Sequence, residues 1–223
     1  IAIVAASDHP DIYKYLWFKE LNMYDKTGVL KPFDKDAAGF VFGDGGSAII
    51  LEELEHAKER KAHIYAEYLG GGFSLEGWKV TTPKIGDTYY QDAISEALNV
   101  SKKNKDDIDV VCAHGVGNTA IDYYEAKAIT DVFGKRPKRP LITAFKPYIG
   151  HNLGGSTLIE TIILLLAREN NIVPPVLNTN VIDSRFNIDL VKEKIEFSVN
   201  TVLKICCAFA GYNAAAIFKK VQE

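Results

Sequence analysis

The chain has 223 residues, 47% of them hydrophobic and 25% charged, an ordinary globular composition with enough length to bury a sizeable core. A net charge of −3 gives no polyanion footprint, so nucleic acid is not an expected partner, and no apolar run reaches the roughly 20 residues of a membrane-spanning helix. Cys112, Cys206 and Cys207 are an odd number without metal-ligand spacing, which predicts no metal site and a reduced, cytoplasmic setting.

Taken in order, Ile1 to Ala6 reads as a core strand with no lead-in, which predicts a missing N-terminal part or a partner that covers it. Asp11 to Leu21 is aromatic-rich and helical or irregular, and Lys26 to Asp36 is a loop. From Gly39, two apolar runs pinched at Gly43, Gly45 and Gly46 read as a bent strand pair. Glu52 to Lys61 is a short polar helix, and Ile64 to Gly72 is a strand ending in three glycines. Ala93, Ile94, Ala97 and Leu98 place a helix within Thr88 to Leu98, before the charged loop Ser101 to Asp107. Asp109 to Ala113 is a strand ending at His114-Gly115, followed by an amphipathic helix over Thr119 to Phe133.

The next stretch organises the rest. Leu141 to Phe145 is a short apolar run between prolines, hence a buried strand, and Leu153 to Ala167 is apolar nearly all round, hence a buried helix. Lys146 then sits at the strand's C-terminal end, and His151 at or near the helix N-terminus, where the dipole favours a neutral ring. An extended Ile172 to Leu177, a strand at Ile195 to Val199 and a final unit from Val202 to Val221, interrupted at Gly211, complete the chain. Alternating strands and helices predict an α/β layered fold with a largely parallel sheet. In such folds ligands bind beyond the carboxyl ends of the strands, where successive turns bring His114, Lys146 and His151 to one pocket. Each histidine alone also fits a structural role. No P-loop, dinucleotide fingerprint or nucleophile elbow is present.

With these residues in view, the sequence resembles the β-ketoacyl synthases, which have the thiolase fold. The His-Gly-Thr-x-Thr-x-x-x-Asp-x-x-Glu motif is similar to His114-Gly115-Val116-Gly117-Asn118 with Asp122 and Glu125. The Thr-Lys-x-x-x-Gly-His motif resembles Phe145-Lys146 through Gly150-His151. The glycine-rich loop resembles Ala208-Phe209-Ala210-Gly211-Tyr212-Asn213, and a fourth motif matches Phe33, Asp34, Gly39, Phe40, Gly43, Asp44 and Gly45. The four in order cover essentially the whole chain.

The resemblance implies a thiolase-like α/β/α architecture, with residues 1–62 as the end of the N-terminal half and 63–223 as the C-terminal half. It implies decarboxylative Claisen condensation of malonyl and acyl thioesters in fatty-acid or polyketide synthesis, in a cytoplasmic, dimeric acyltransferase. The partners implied are an acyl carrier protein with its phosphopantetheine arm and an N-terminal half or partner subunit, with no tightly bound cofactor. His114 and His151 would stabilise the enolate, with Lys146 orienting them. Asp122 and Glu125 would support the local network, and Phe209 would shape the oxyanion site and acyl tunnel. Val116, Asn118, Cys207 and Gly211 would meet the substrate.

Departures from the pattern accompany it. The family's nucleophilic cysteine falls before Ile1, so the resemblance implies a nucleophile supplied from outside this sequence, and Cys112, Cys206 and Cys207 are not expected to replace it. Val116 and Asn118 stand where threonines bind the carrier arm, Lys79 where a histidine is usual, Ala37-Ala38 for Arg-Asp, and Cys207 for the bulky residue gating the acyl pocket. Two alternatives to the synthase segment remain open at this stage, namely a malonyl-thioester decarboxylase and a non-catalytic partner of the chain-length-factor kind.

Overall fold

The computed structural model describes residues 1–134 and 139–221. β1 (Ala2–Asp8) pairs antiparallel with β2 (Gly45–Leu51), Ala2 opposite Leu51 and Asp8 opposite Gly45. Between them lie α1 (Ile12–Glu20), capped by the Asp11 carboxylate on the Tyr13 and Lys14 N–H groups, and a long loop. Ile3 and Val4 of β1, and Ile1 just before it, are exposed, so the burial that their hydrophobicity predicts is not supplied by the described residues.

After the short α2 (Leu54–Glu59) comes a five-stranded sheet built from β3 (Glu67–Leu75), β4 (Val110–Cys112), β5 (Leu141–Thr143), β8 (Thr201–Ala208) and β9 (Tyr212–Lys219), in the order β3-β9-β8-β4-β5. β4 is parallel to both β5 and β8, whereas β8-β9 and β9-β3 are antiparallel, so the sheet is mixed where alternation predicts a largely parallel one. The reason lies at the chain's end, where β8 turns back on itself at Phe209–Gly211 instead of crossing over through a helix. The two remaining strands, β6 (Ile172–Val173) and β7 (Ile195–Glu196), form a separate antiparallel pair shorter than the extended stretches predict.

Alternation along the strands builds a core on each face. Val111, Leu203, Ile205, Ala215 and Ile217 pack against Ile94 and Ala97 of α3 (Tyr89–Val100) and against Tyr124 and Ile129 of α4 (Thr119–Phe133). Val110, Cys112, Val202 and Phe218 pack on the other face against Leu164 and Leu165 of α6 (Ser156–Glu169). β3 continues through Gly70–Gly72 instead of stopping there, with a shift of register between Tyr68 and Gly70, and the glycines let α3 lie on it: a Cβ on Gly72 would stand 2.0 Å from the Ala93 carbonyl oxygen. Among the described residues no helix is long and apolar enough to cross a membrane.

Candidate active site

β4 delivers His114 and Gly115 at its carboxyl end, and the backbone there is held by α4. Glu125 accepts from the His114 N–H at 2.5 Å and the Gly115 N–H at 2.8 Å, while the buried Tyr90 hydroxyl donates to the same carboxylate at 3.1 Å. One turn earlier, Asp122 accepts from Phe33, Val116 and Gly117 N–H groups at 2.8, 3.2 and 3.2 Å, which ties the loop before β2 to this turn. Burial raises the Glu125 carboxyl and pushes Asp122 up to about 8 against the pull of those N–H donors.

β5 lies beside β4 and ends at Thr143, short of the predicted Phe145, so Lys146 stands at the start of a short helix, α5 (Lys146–Ile149), with Pro147 at a position where its missing N–H costs nothing. Lys146 is fully buried. Its Nζ donates to the His114 carbonyl at 2.6 Å and to Glu160 Oε1 at 2.6 Å, and lies 3.3 Å from His114 Nδ1. An ammonium can only donate, so His114 Nδ1 is the acceptor and the ring proton sits on Nε2. Glu160 Oε2 accepts in turn from Lys204 Nζ at 2.5 Å, and Lys204 also donates to the Ala113 carbonyl at 3.0 Å. The result is a buried chain of cation, anion and cation behind His114.

His151 does not sit at a helix N-terminus. It lies in a separate extended segment, bridged in parallel to Phe42, with its N–H on the Val41 carbonyl at 2.7 Å and its carbonyl accepting from Gly43 at 3.0 Å. A 3₁₀ turn at Leu153–Gly155 separates it from α6. Its Nδ1 lies 2.8 Å from the Ser156 hydroxyl, which can donate to it and leave the ring proton on Nε2. The two rings meet edge to face, centroids 5.5 Å apart. Both have pKa values well below the ordinary histidine value, His114 through burial and then the charges of Lys146, His151 and Lys204, His151 through burial and then Lys146 and Lys204. A lowered pKa agrees with the neutral ring expected from the sequence, and enclosure and the neighbouring cations are its causes here.

The rings line a cavity of about 450 Å³ whose other walls include Phe18, Phe40, Val116, Ile121, Cys206, Cys207, Phe209 and Gly211. Phe209 stacks on Phe18, with centroids 5.5 Å apart. Burial and the nearby Glu125 charge hold the Cys207 thiol well above its usual pKa, and burial pushes Cys112 up to about 12. Of the predicted substrate-contacting residues only Asn118 turns away from the cavity, and its side chain accepts from the Ala120 and Ile121 N–H groups as the cap of α4. Sequence reasoning missed Glu160 and Lys204. Each is a lone charge in an apolar run, Leu158-Ile159-Glu160 and Val202-Leu203-Lys204-Ile205, a pattern that itself signals a buried partner.

The chain matches known proteins in sequence and in fold. Residues 1–57 match the family model "Beta-ketoacyl synthase, N-terminal domain" and residues 65–180 match "Beta-ketoacyl synthase, C-terminal domain". The chain belongs to the β-ketoacyl synthase family. It is 33% identical over 194 residues to 3-oxoacyl-(acyl-carrier-protein) synthase 2 of Coxiella burnetii, covering 86% of this chain and 47% of that protein. It is 32% identical over 203 residues to the tetracenomycin polyketide synthase ketoacyl synthase alpha subunit of Streptomyces glaucescens, covering 91% and 48%. The chain thus spans about half the length of the curated relatives it matches. Among solved structures, the ishigamide ketosynthase/chain length factor superposes with a TM-score of 0.91 at 32% identity, over 100% of this chain and 55% of that one. A type II polyketide acyl-carrier protein in complex with its ketosynthase, bound to the hexaketide, superposes with a TM-score of 0.93 at 26% identity, over 99% and 56%. The fold is therefore a thiolase-like α/β fold.

Proposed function

We propose that this chain supplies the decarboxylation half of a β-ketoacyl-(acyl carrier protein) synthase active site, acting on a malonyl thioester in fatty-acid or polyketide synthesis. The observation that carries the reading is the pair of neutral imidazoles, edge to face on one cavity wall with Lys146 behind them. Loss of CO₂ breaks the C–C bond to the malonyl carboxylate and places the electron pair in a thioester enolate. Two Nε2–H donors aimed at that oxygen stabilise charge that exists only as the bond breaks, on the order of a few kcal/mol each. The enolate carbon then attacks an acyl thioester, whose thiolate this reading takes from outside these residues; Cys112 is buried and burial holds the Cys207 thiol well above its usual pKa. Phe18, Phe40 and Phe209 give the cavity the apolar walls an acyl chain needs. The acyl and malonyl groups would arrive on the phosphopantetheine arm of an acyl carrier protein. With Val116 apolar and Asn118 occupied as a cap, neither side chain offers that arm a hydroxyl.

The test is release of labelled CO₂ from a malonyl thioester beside acyl-enzyme formation in the complete protein. His114→Ala and His151→Ala should each abolish decarboxylation and leave acyl loading largely intact. Wild-type decarboxylation in both variants would instead make the histidines structural and favour the non-catalytic partner.

A further inference from the structure

We infer that Lys204 is a positioning residue of this site, a second buried cation that fixes the net charge behind His114 and His151. The inference rests on the decarboxylation reading above for its function, but not for its geometry.

Lys204 sits in the middle of β8, opposite Cys112 of β4, and the alternation that turns Leu203 and Ile205 toward α3 and α4 turns Lys204 toward α6. Side-chain exposures of 0% for Lys146, 0% for Glu160 and 2% for Lys204 leave no water to neutralise them. A buried ion pair costs several kcal/mol of desolvation, so an additional buried lysine is not explained by stability alone. Its effect on charge is simple. Lys146, in contact with His114 Nδ1, is the larger cation effect on the rings and Lys204 the smaller, and with Glu160 between them the cluster carries one net positive charge next to both rings.

Among the described residues the other carboxylates around the cavity are engaged elsewhere, Asp8 by Lys14 at 2.6 Å. Glu125 and Asp122 on α4 are committed to backbone N–H groups on the far side of the His114 turn, with carboxyls raised toward the neutral form. The Cys112 and Cys207 thiols are held protonated, and Glu76, across the cavity, is engaged by Tyr124 and Asn213. A positive charge beside an imidazole disfavours the imidazolium, which is the form unable to accept from Lys146 or Ser156. Lys204 therefore holds both rings in the neutral donor form to lower pH than the Lys146–Glu160 pair could alone.

The test follows the acid limb of decarboxylation in the complete protein, together with ¹⁵N-histidine titration of the two rings. In Lys204→Met the cluster becomes neutral, and both the limb and the ring pKa values should move up by about one pH unit. Lys204→Arg keeps the charge and should return the limb toward wild type. The double variant Lys204→Met/Glu160→Gln restores one net positive charge through Lys146, so its ring pKa values should lie near wild type even if Lys204→Met alone fails to fold. A fall in rate with ring pKa values unmoved in Lys204→Met, or a double variant whose rings titrate higher than wild type, would overturn the inference. If the wild-type protein does not decarboxylate at all, the functional reading fails, while the ring titrations still decide the role of Lys204.

Discussion

The two histidine turns reach the same cavity by different constructions. His114 is clamped by charge: a carboxylate holds two successive backbone N–H groups and an ammonium points at Nδ1, so its tautomer has no alternative. His151 is clamped by backbone and a neutral hydroxyl, through its bridge to Phe42 and its contact with Ser156. One turn thus depends on electrostatics inside the C-terminal sheet and the other on close approach of the segment before β2. The site needs both, so perturbations of different chemistry should fail in different ways.

The largest effect should come from Lys146→Met. It removes the donor to His114 Nδ1 and to the His114 carbonyl, and decarboxylation should fall by roughly 10²- to 10³-fold. His151 should keep its place against Phe40 while its pKa rises, because Lys146 is among the charges that lower it. Next comes Gly43→Ala, which attacks the other construction. Its Cβ would stand 2.3 Å from the Ile149 carbonyl oxygen, so the His151 segment must shift, at a cost of about 1–3 kcal/mol in stability and on the order of a tenfold or greater loss of decarboxylation. Denaturant unfolding and CO₂ release check the two numbers. Equal damage from Gly43→Ala at the His114 ring would show that the turns are not separable.

A smaller effect concerns pH. Both imidazoles have folded pKa values below their unfolded value, so between those values the native state binds fewer protons than the unfolded chain. Their contribution to stability is fully present above about pH 6.5 and is lost as pH falls toward the folded pKa, at up to about 1.4 kcal/mol per pH unit for each ring. His114→Gln and His151→Gln should each flatten the loss of stability between about pH 6.5 and pH 5, and unchanged slopes would show that the rings titrate normally. Ser156→Ala should be mildest, since losing one neutral hydrogen bond to His151 costs about 0.5–1.5 kcal/mol, a reduction in decarboxylation of roughly three- to tenfold.

Much of this organisation is legible in the sequence, and what is not has identifiable causes. The helix over Thr119–Phe133 is predicted with its observed bounds from its amphipathic pattern, whereas Asn118, expected to meet the substrate, turns out to be its cap. The convergence of His114, Lys146 and His151 is legible because β4 and β5 are adjacent in both sequence and sheet. The mixed sheet is not legible, since the direction of β9 depends on a turn at Phe209–Gly211 that local pattern reads only as an interruption. Nor is the continuation of β3 through Gly70–Gly72, because the packing of α3 on bare backbone is a tertiary fact. Glu160 and Lys204 stand out as lone charges in apolar runs, but which charge pairs with which follows only from the register of β8 and the face of α6.

The central claim is that this site presents two neutral imidazoles, each carrying its proton on Nε2, to one cavity. Long-range ¹H–¹⁵N correlation spectra of the ¹⁵N-histidine-labelled complete protein near pH 6 test it directly, with the two rings assigned by their loss in His114→Ala and His151→Ala. The account predicts that both rings show the neutral Nε2–H pattern, and that the His114 pattern changes when Lys146 is replaced by Met. An imidazolium at either position near pH 6, or an Nδ1–H tautomer at either ring in the unaltered protein, would contradict it.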